Sequence, residues 1–201
     1  MGVQGRPRGN YAKTAARREE IIEASLAVFS EFGYRSGSIR KIAERVGLSQ
    51  AGLLHHFANK MDLLGAVLDR RDEIDQRHIV ADAELGIGSL RNLILLAEFN
   101  EQTRGLVELH CTLSAEATAR DHPAHDYFVK RYERVIFWTT RSFTALHEKG
   151  QLADGIDPHF AARDLVALMD GLQVQWLLQD ESFSMADAIR NYVRPMLTIE
   201  L

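Results

Sequence analysis

Between Ser38 and Phe57 two short helical patterns meet at a glycine, and no other stretch restricts the chain as much. Ile39, Ile42, Ala43 and Val46 recur at i, i+3, i+4 and i+7, the spacing of one buried helical stripe. Ser38 stands where a hydroxyl can accept from an unpaired backbone N–H at the start of that helix. Gly47 can take the left-handed backbone that ends it. Leu48 then fills the angle, and Ser49 can cap a second helix running to about Phe57. Helix, glycine turn and helix make a unit in which one helix can lie in the major groove of DNA while the other braces it.

Charge distribution points the same way. The whole chain carries a net charge of −4, yet residues 1–60 hold ten Lys/Arg against five Asp/Glu, and the rest holds fourteen against twenty-three. A chain polarised in this way presents its N-terminal end to phosphates and keeps its acidic body away from them. The single cysteine, Cys111, excludes an internal disulfide and suits a reducing compartment. No apolar run is long enough to span a bilayer, and a polar, basic segment stands where a signal peptide would. A cytoplasmic protein with no membrane partner is expected.

The remaining periodicity is helical, and the expected fold is all-α with about nine helices. Residues 1–13 read as a flexible basic arm. A first helix over 15–32 buries Ile22, Leu26 and Phe29 and ends at Gly33. Asn59 caps a fourth helix, with Asp62 three residues on as a short capping box. Later helices are expected over 89–102, 105–119, 121–149 and 158–178, and a last one carries the stripe Met185, Ile189, Tyr192, Val193 and Met196. Residues 14–60 would form a helix-turn-helix domain, 59–76 a connecting helix, and 77–201 a helical bundle. The helix over 158–178 is apolar on more than one side and must be covered twice. One cover is its own bundle. The other is either a neighbouring helix of a monomer or a second subunit, with Gly171 allowing close approach. A homodimer is the favoured arrangement, because paired helix-turn-helix units read two-fold operators.

The string Ser49-Gln50-Ala51-Gly52-Leu53-Leu54-His55-His56-Phe57, followed by Asn59-Lys60-Met61-Asp62-Leu63-Leu64, resembles the signature of the tetracycline-repressor (TetR) family. The usual family string is Ser-x-Gly-x-Leu-Tyr-Tyr-His-Phe, then Ser-Lys-x-x-Leu. The likeness covers residues 15–68. The body, with Asp170-Gly171-Leu172-Gln173, is similar to the C-terminal domain of the betaine-regulator type. Leu54 replaces the family tyrosine whose hydroxyl commonly meets a phosphate. The resemblance implies a DNA-binding transcriptional regulator, most simply a repressor released from its operator by a small-molecule effector. It implies no enzyme activity and no cofactor.

Affinity is then expected from phosphate contacts and specificity from a few base edges. Lys60, at the positive end of a helix dipole, suits a phosphate. Ser38, Ser49, Arg40 and Lys41 lie close to the groove edge. His56 matches the family histidine that faces the operator backbone. Gln50 can pair bidentately with adenine, Ala51 and Gly52 allow close approach to a thymine methyl, and His55 and Leu54 complete the outer surface. Arg6 and Arg8 are either minor-groove contacts or part of a solvated tail. The resemblance also implies an effector site walled by Phe99, His110, Leu113, Phe137, Trp138, Gln173 and Trp176. Dimerisation is assigned to Leu165, Met169, Leu172, Ile189, Tyr192 and Met196. The run 121–126 holds metal-capable side chains but reads as a loop, and no metal is expected. An enzyme is the rival class; no nucleophile triad, carboxylate pair or glycine-rich phosphate loop rises above chance.

Overall fold

The helices follow one another in the order expected, and their ends are set by local chemistry. The computed structural model describes residues 8–78, 85–179 and 182–201. Among them are α1 (Arg8–Ser36), α2 (Ile39–Arg45), α3 (Gln50–Leu54), α4 (Lys60–His78) and α5 (Ile87–Glu101). Then come α6 (Arg104–Glu116), α7 (His125–Glu148), α8 (Pro158–Leu178) and α9 (Met185–Val193), closed by one 3-10 turn, Arg194–Met196. The only β-pairing among the described residues is a single bridge between Leu152 and Leu197. No helix among them is long and apolar enough to cross a membrane.

Several boundaries differ from expectation. The backbone is already helical at Arg8, so the stretch 8–13 extends α1 instead of forming a flexible arm; Arg6 lies outside the described residues. Its alanine-rich continuation, with no glycine or proline after Gly9, explains the extension. Gly33 does break the helix, with φ 69° and ψ 177°, but a further turn follows it to Ser36. The positive φ disfavours a side chain there, and an added Cβ, 2.5 Å from Glu116 Oε1, would push that carboxylate away. α7 starts at His125, not at residue 121. His122 and Ala119 close short turns ahead of it, and the His122 ring takes the Ala124 N–H through Nδ1 at 3.2 Å. His125 Nδ1 bonds the Ala117 carbonyl at 2.8 Å, so both histidines of the metal-capable run serve the backbone.

Two cores hold the molecule, and α6 belongs to both. The first joins Ile21, Phe29, Ile42, Leu53, Phe57 and Leu63 of the N-terminal helices to Leu106, Leu109 and Leu113 on one stripe of α6. The second gathers Leu90, Phe143, Leu146, Leu165, Leu172 and Trp176, with Val107 of α6 facing that way. α1 packs along α6, and buried Ser30 donates to the Gly105 carbonyl at 2.8 Å. The head is therefore seated on the body through a continuous apolar contact, not tethered by a loop. Each fully buried Leu, Ile or Phe contributes about 1.5–3 kcal/mol.

That packing reverses the expected dimer surface. Leu165, Leu172 and Ile189 are buried in the second core of their own protomer. Met169, Tyr192 and Met196 are half-buried against the same core. The apolar side left uncovered is a different one. On α8 it holds Phe160, Val174 and Leu178, and on the neighbouring α7 Phe137 and Trp138, all exposed. Both faces of α8 inferred from the sequence are thus filled by the protomer itself, and a third stripe faces outward.

Candidate functional site

The turn between α2 and α3 is built from backbone demands that the local residues meet. Ser38 Oγ accepts from Lys41 N at 3.2 Å and caps α2. At the far end Gly47 N–H donates to the Glu44 carbonyl at 3.2 Å and Leu48 N–H to the Ala43 carbonyl at 2.9 Å. This pair of bonds is the Schellman closure, and it needs the φ of +66° found at Gly47. Ser49 Oγ then accepts from Gly52 N at 3.0 Å and starts α3. Asn59 Oδ1 takes the Asp62 N–H at 2.8 Å, and the Asp62 carboxylate returns to Ala58 N at 3.2 Å. α3 is shorter than the sequence suggests. After Leu54 the chain tightens, with His56 N–H reaching only back to the Leu53 carbonyl.

The expected contact residues from Ser49 to His56 differ in exposure from Leu53 and Phe57. Ser49, Gln50, Ala51, Leu54 and His55 are exposed, and Gly52 and His56 are half-buried, while Leu53 and Phe57 are buried beneath them. Arg40 is exposed and forms a 3.5 Å pair with Glu44 that contributes little. Arg45 pairs with Glu31 at 3.7 Å. Lys41 lies over the Phe32 ring, its Nζ 3.4 Å from the centroid. Lys60 Nζ sits 4.4 Å above the Tyr34 ring and donates to the Arg35 carbonyl at 3.3 Å. Burial lowers its pKa, opposed by the Glu116 carboxylate.

Residues that the sequence did not single out hold this surface in place. Arg18 of α1 donates to the His56 carbonyl at 2.8 Å and stacks over Phe57 at 4.0 Å, closing the end of α3. Glu116, the last residue of α6, accepts from Tyr34 N at 2.7 Å and stands 3.5 Å from His122 Nε2. It thereby ties the body to the turn that carries α2. The Arg18–His56 and Glu116–Tyr34 contacts join residues 38 and 82 apart along the chain, beyond any local pattern.

Beneath the head, α4 to α8 surround a cavity of about 150 Å³. α4 supplies Arg71 and Asp72 to its wall. The Asp72 carboxylate accepts from Tyr127 at 2.7 Å, Arg131 at 3.0 Å and Arg134 at 3.3 Å. Buried Arg71 donates to the Leu106 carbonyl at 2.6 Å. Asp170 of α8 accepts from His110 Nε2 at 3.2 Å and from the Tyr132 hydroxyl at 2.8 Å. Burial raises the Tyr132 pKa, so the phenol keeps its proton and donates. Burial likewise raises the Cys111 thiol to about 11, leaving it unreactive at neutral pH.

Only two of the seven effector residues expected from the sequence line this cavity, His110 and Gln173. Leu113 is consumed by the first core and Trp176 by the second. Phe99 is half-buried against the first core, and Phe137 and Trp138 point to solvent. The charged wall, with Arg71, Asp72, Arg131 and Asp170, was not found. Each of those residues reads alone as a solvated charge, and only helix packing turns them inward.

Burial lowers the pKa of both His110 and His122 below the usual 6.5, against the opposing pull of Asp170 and Glu116 respectively. The unfolded chain therefore takes up these protons first as pH falls. The contribution is whole above pH 6.5 and declines below it, until the lower folded-state values are passed. Each histidine adds at most about 1.4 kcal/mol per pH unit in that window. The melting temperature should hold level above about pH 6.5 and fall as the pH drops from there to about 5.5. A flat profile would show that neither imidazole is held neutral.

Comparison with known proteins adds an independent line. Residues 21–67 match the family described as "Bacterial regulatory proteins, tetR family". Residues 91–198 match "BetI-type transcriptional repressor, C-terminal". The chain is 28% identical to the HTH-type transcriptional regulator BetI of Proteus mirabilis, over 86% of each protein. It is also 28% identical to the HTH-type transcriptional regulator TtgR of Pseudomonas putida, over 88% of this chain and 87% of that one. Its fold is similar to that of a putative transcriptional regulator from Saccharomonospora viridis solved in complex with choline. That likeness has a TM-score of 0.74 at 23% identity, covering 92% of this chain and 100% of the other.

Proposed function

Since this chain belongs to the TetR family of bacterial regulatory proteins, with a BetI-type C-terminal domain, and is a helix-turn-helix transcriptional regulator, we propose that it represses by binding a two-fold operator as a homodimer and is released by a small effector held in the body cavity. The observation that carries this reading is the outer surface of α3. Gln50, Ala51, Leu54 and His55 are exposed there above a fully buried Leu53. Such a surface is small enough to enter the major groove. Gln50 reads a base edge, Ala51 and Leu54 meet thymine methyls, and His55 reaches a base or a phosphate. Ser38, Ser49, Arg40, Lys41, His56 and Lys60 hold the flanking phosphates.

The outward apolar stripe of α7 and α8 supports pairing through those helices. Gly171 lies on that side, where an added Cβ would meet only Gln175 Nε2, 4.0 Å away. Nothing within the protomer requires a glycine mid-helix, where it costs about 1 kcal/mol relative to alanine. Close approach of a second copy accounts for it. α4 supports the release step. It carries Arg70, which pairs with Glu19 and Glu23 of α1 at 3.4 and 3.5 Å, and Asp72 at the cavity wall. A ligand that competes for Arg131 or Arg134 loosens Asp72 and lets α4 shift under the head. A coupling of about 1–3 kcal/mol suffices for release.

The test is a footprint on the DNA upstream of the chain's own gene, repeated over a salt series. Log affinity should fall linearly with log salt. Gln50→Ala should lower discrimination against a changed base pair by about 1–3 kcal/mol while leaving that slope unchanged. Binding without sequence preference, or none at low salt, would remove the reading.

A further inference from the structure

Among the described residues, the wall of the body cavity carries more positive than negative charge. Arg71, Arg131 and Arg134 stand against Asp72 and Asp170. The carboxylates are already engaged, Asp72 by two arginines and a phenol, Asp170 by His110 and Tyr132. A permanent cation entering here would face this excess in a poorly screened space. Among the described residues it would also lack the aromatic cage that holds quaternary ammonium groups, since Tyr132 is there the one tyrosine, phenylalanine or tryptophan on the wall. A carboxylate would be drawn to the arginines, which bind it in forked geometry.

A second observation concerns neutral groups. Asn100 and Gln173 line the same cavity and are only 4% and 9% exposed. Neither Asn100 Oδ1 nor Gln173 Oε1 meets a hydrogen-bond partner among the described residues. Buried amide oxygens are rarely left so, and each asks for a donor. An N–H or O–H on a ligand supplies one, and a methylated nitrogen does not. The volume of about 150 Å³ is that of a cavity which accepts benzene.

We propose that the effector of this chain is a small monocarboxylate carrying at least one hydroxyl or N–H donor, its carboxylate on the arginine side and its donor on Asn100 or Gln173. This rests on the cavity being the effector site. It sets the chain apart from a regulator that answers to a quaternary ammonium compound.

The full-length protein is titrated with lactate and 4-hydroxybenzoate, with benzoate as the carboxylate lacking a donor, and with choline. Affinity is read by calorimetry and by the rise in melting temperature. At least one of the hydroxycarboxylates should bind saturably and more tightly than benzoate, and choline should give no shift. Gln173→Leu or Asn100→Leu should weaken that hydroxycarboxylate about tenfold. The ligand-free variant should melt no lower than the parent, because an unpaired oxygen is removed at nearly constant volume and the Gln173 Nε2 contact to the Met169 carbonyl, lost with it, is long at 3.4 Å. Stabilisation by choline without any by the carboxylates overturns the proposal, as does a failure of both hydroxycarboxylates to bind. Weakening matched by a lower melting temperature of the ligand-free variants would also overturn it, by making the two amides purely structural. Operator footprinting of the ligand-free protein, run in parallel, tests the regulator reading separately.

Discussion

Aspartate placed together at Phe160 and Leu178 should leave the protein monomeric and weaken its hold on a two-half-site operator by roughly 100-fold or more. Both side chains are largely exposed in the protomer, at 65% and 78%, so the substitution disturbs little intramolecular packing beyond the edge contact of Phe160 with the His159 ring. In a two-fold pair every change is made twice, and the four new carboxylates would lie along one apolar seam. Burying unpaired charge there is strongly unfavourable. Each monomer keeps an intact α3 but loses the linked second half-site, and that linkage is the source of the avidity. Light scattering gives the oligomeric state and a mobility shift gives the affinity. A variant that stays dimeric would show that the exposed stripe of α7 and α8 is not the seam.

Truncation of Phe57 to alanine should destabilise the head by about 3–5 kcal/mol. Phe57 is 1% exposed and closes the first core beneath α3. Arg18 stacks on its ring at 4.0 Å while holding the His56 carbonyl, so the ring also orients the clasp at the end of α3. A five-residue helix has no stability of its own and depends on that floor. The loss is comparable with the whole stability of a small domain, about 5–15 kcal/mol. Urea denaturation should show it, and operator binding should fail at temperatures where the parent still binds. Because the first core runs on into α6, the body should loosen in the same transition. A change below about 1 kcal/mol would mean that Phe57 is not the plug it resembles.

The readable parts of the chain were those governed by neighbours in sequence. Ser38, Gly47, Ser49 and Asn59 each answer a backbone group within four residues, and each does in the fold what its position suggests. Leu53 and Phe57 lie buried beneath the outer surface of α3. Two sets of expected residues do not reach the surfaces proposed for effector and partner, for a common reason. Leu165, Leu172 and Ile189 satisfy an apolar pattern, but the pattern does not say whose helix covers them. Phe137 and Trp138 resemble pocket walls by composition and face outward instead. Arg18 and Glu116 act on backbone groups dozens of residues away, and no periodicity marks them.

By itself the sequence determined an all-helical chain, a capped helix-turn-helix at its N-terminal end and the membership that follows from it. Those features arise from short-range hydrogen bonding and from the 3.6-residue period, both written within single elements. Only the tertiary structure decided that α6 serves two cores, that α8 turns a third stripe outward, and that arginines of α4 and α7 gather around one cavity. Such pairings are chosen by shape and burial among helices that each have several faces to offer, and they are settled when the helices meet.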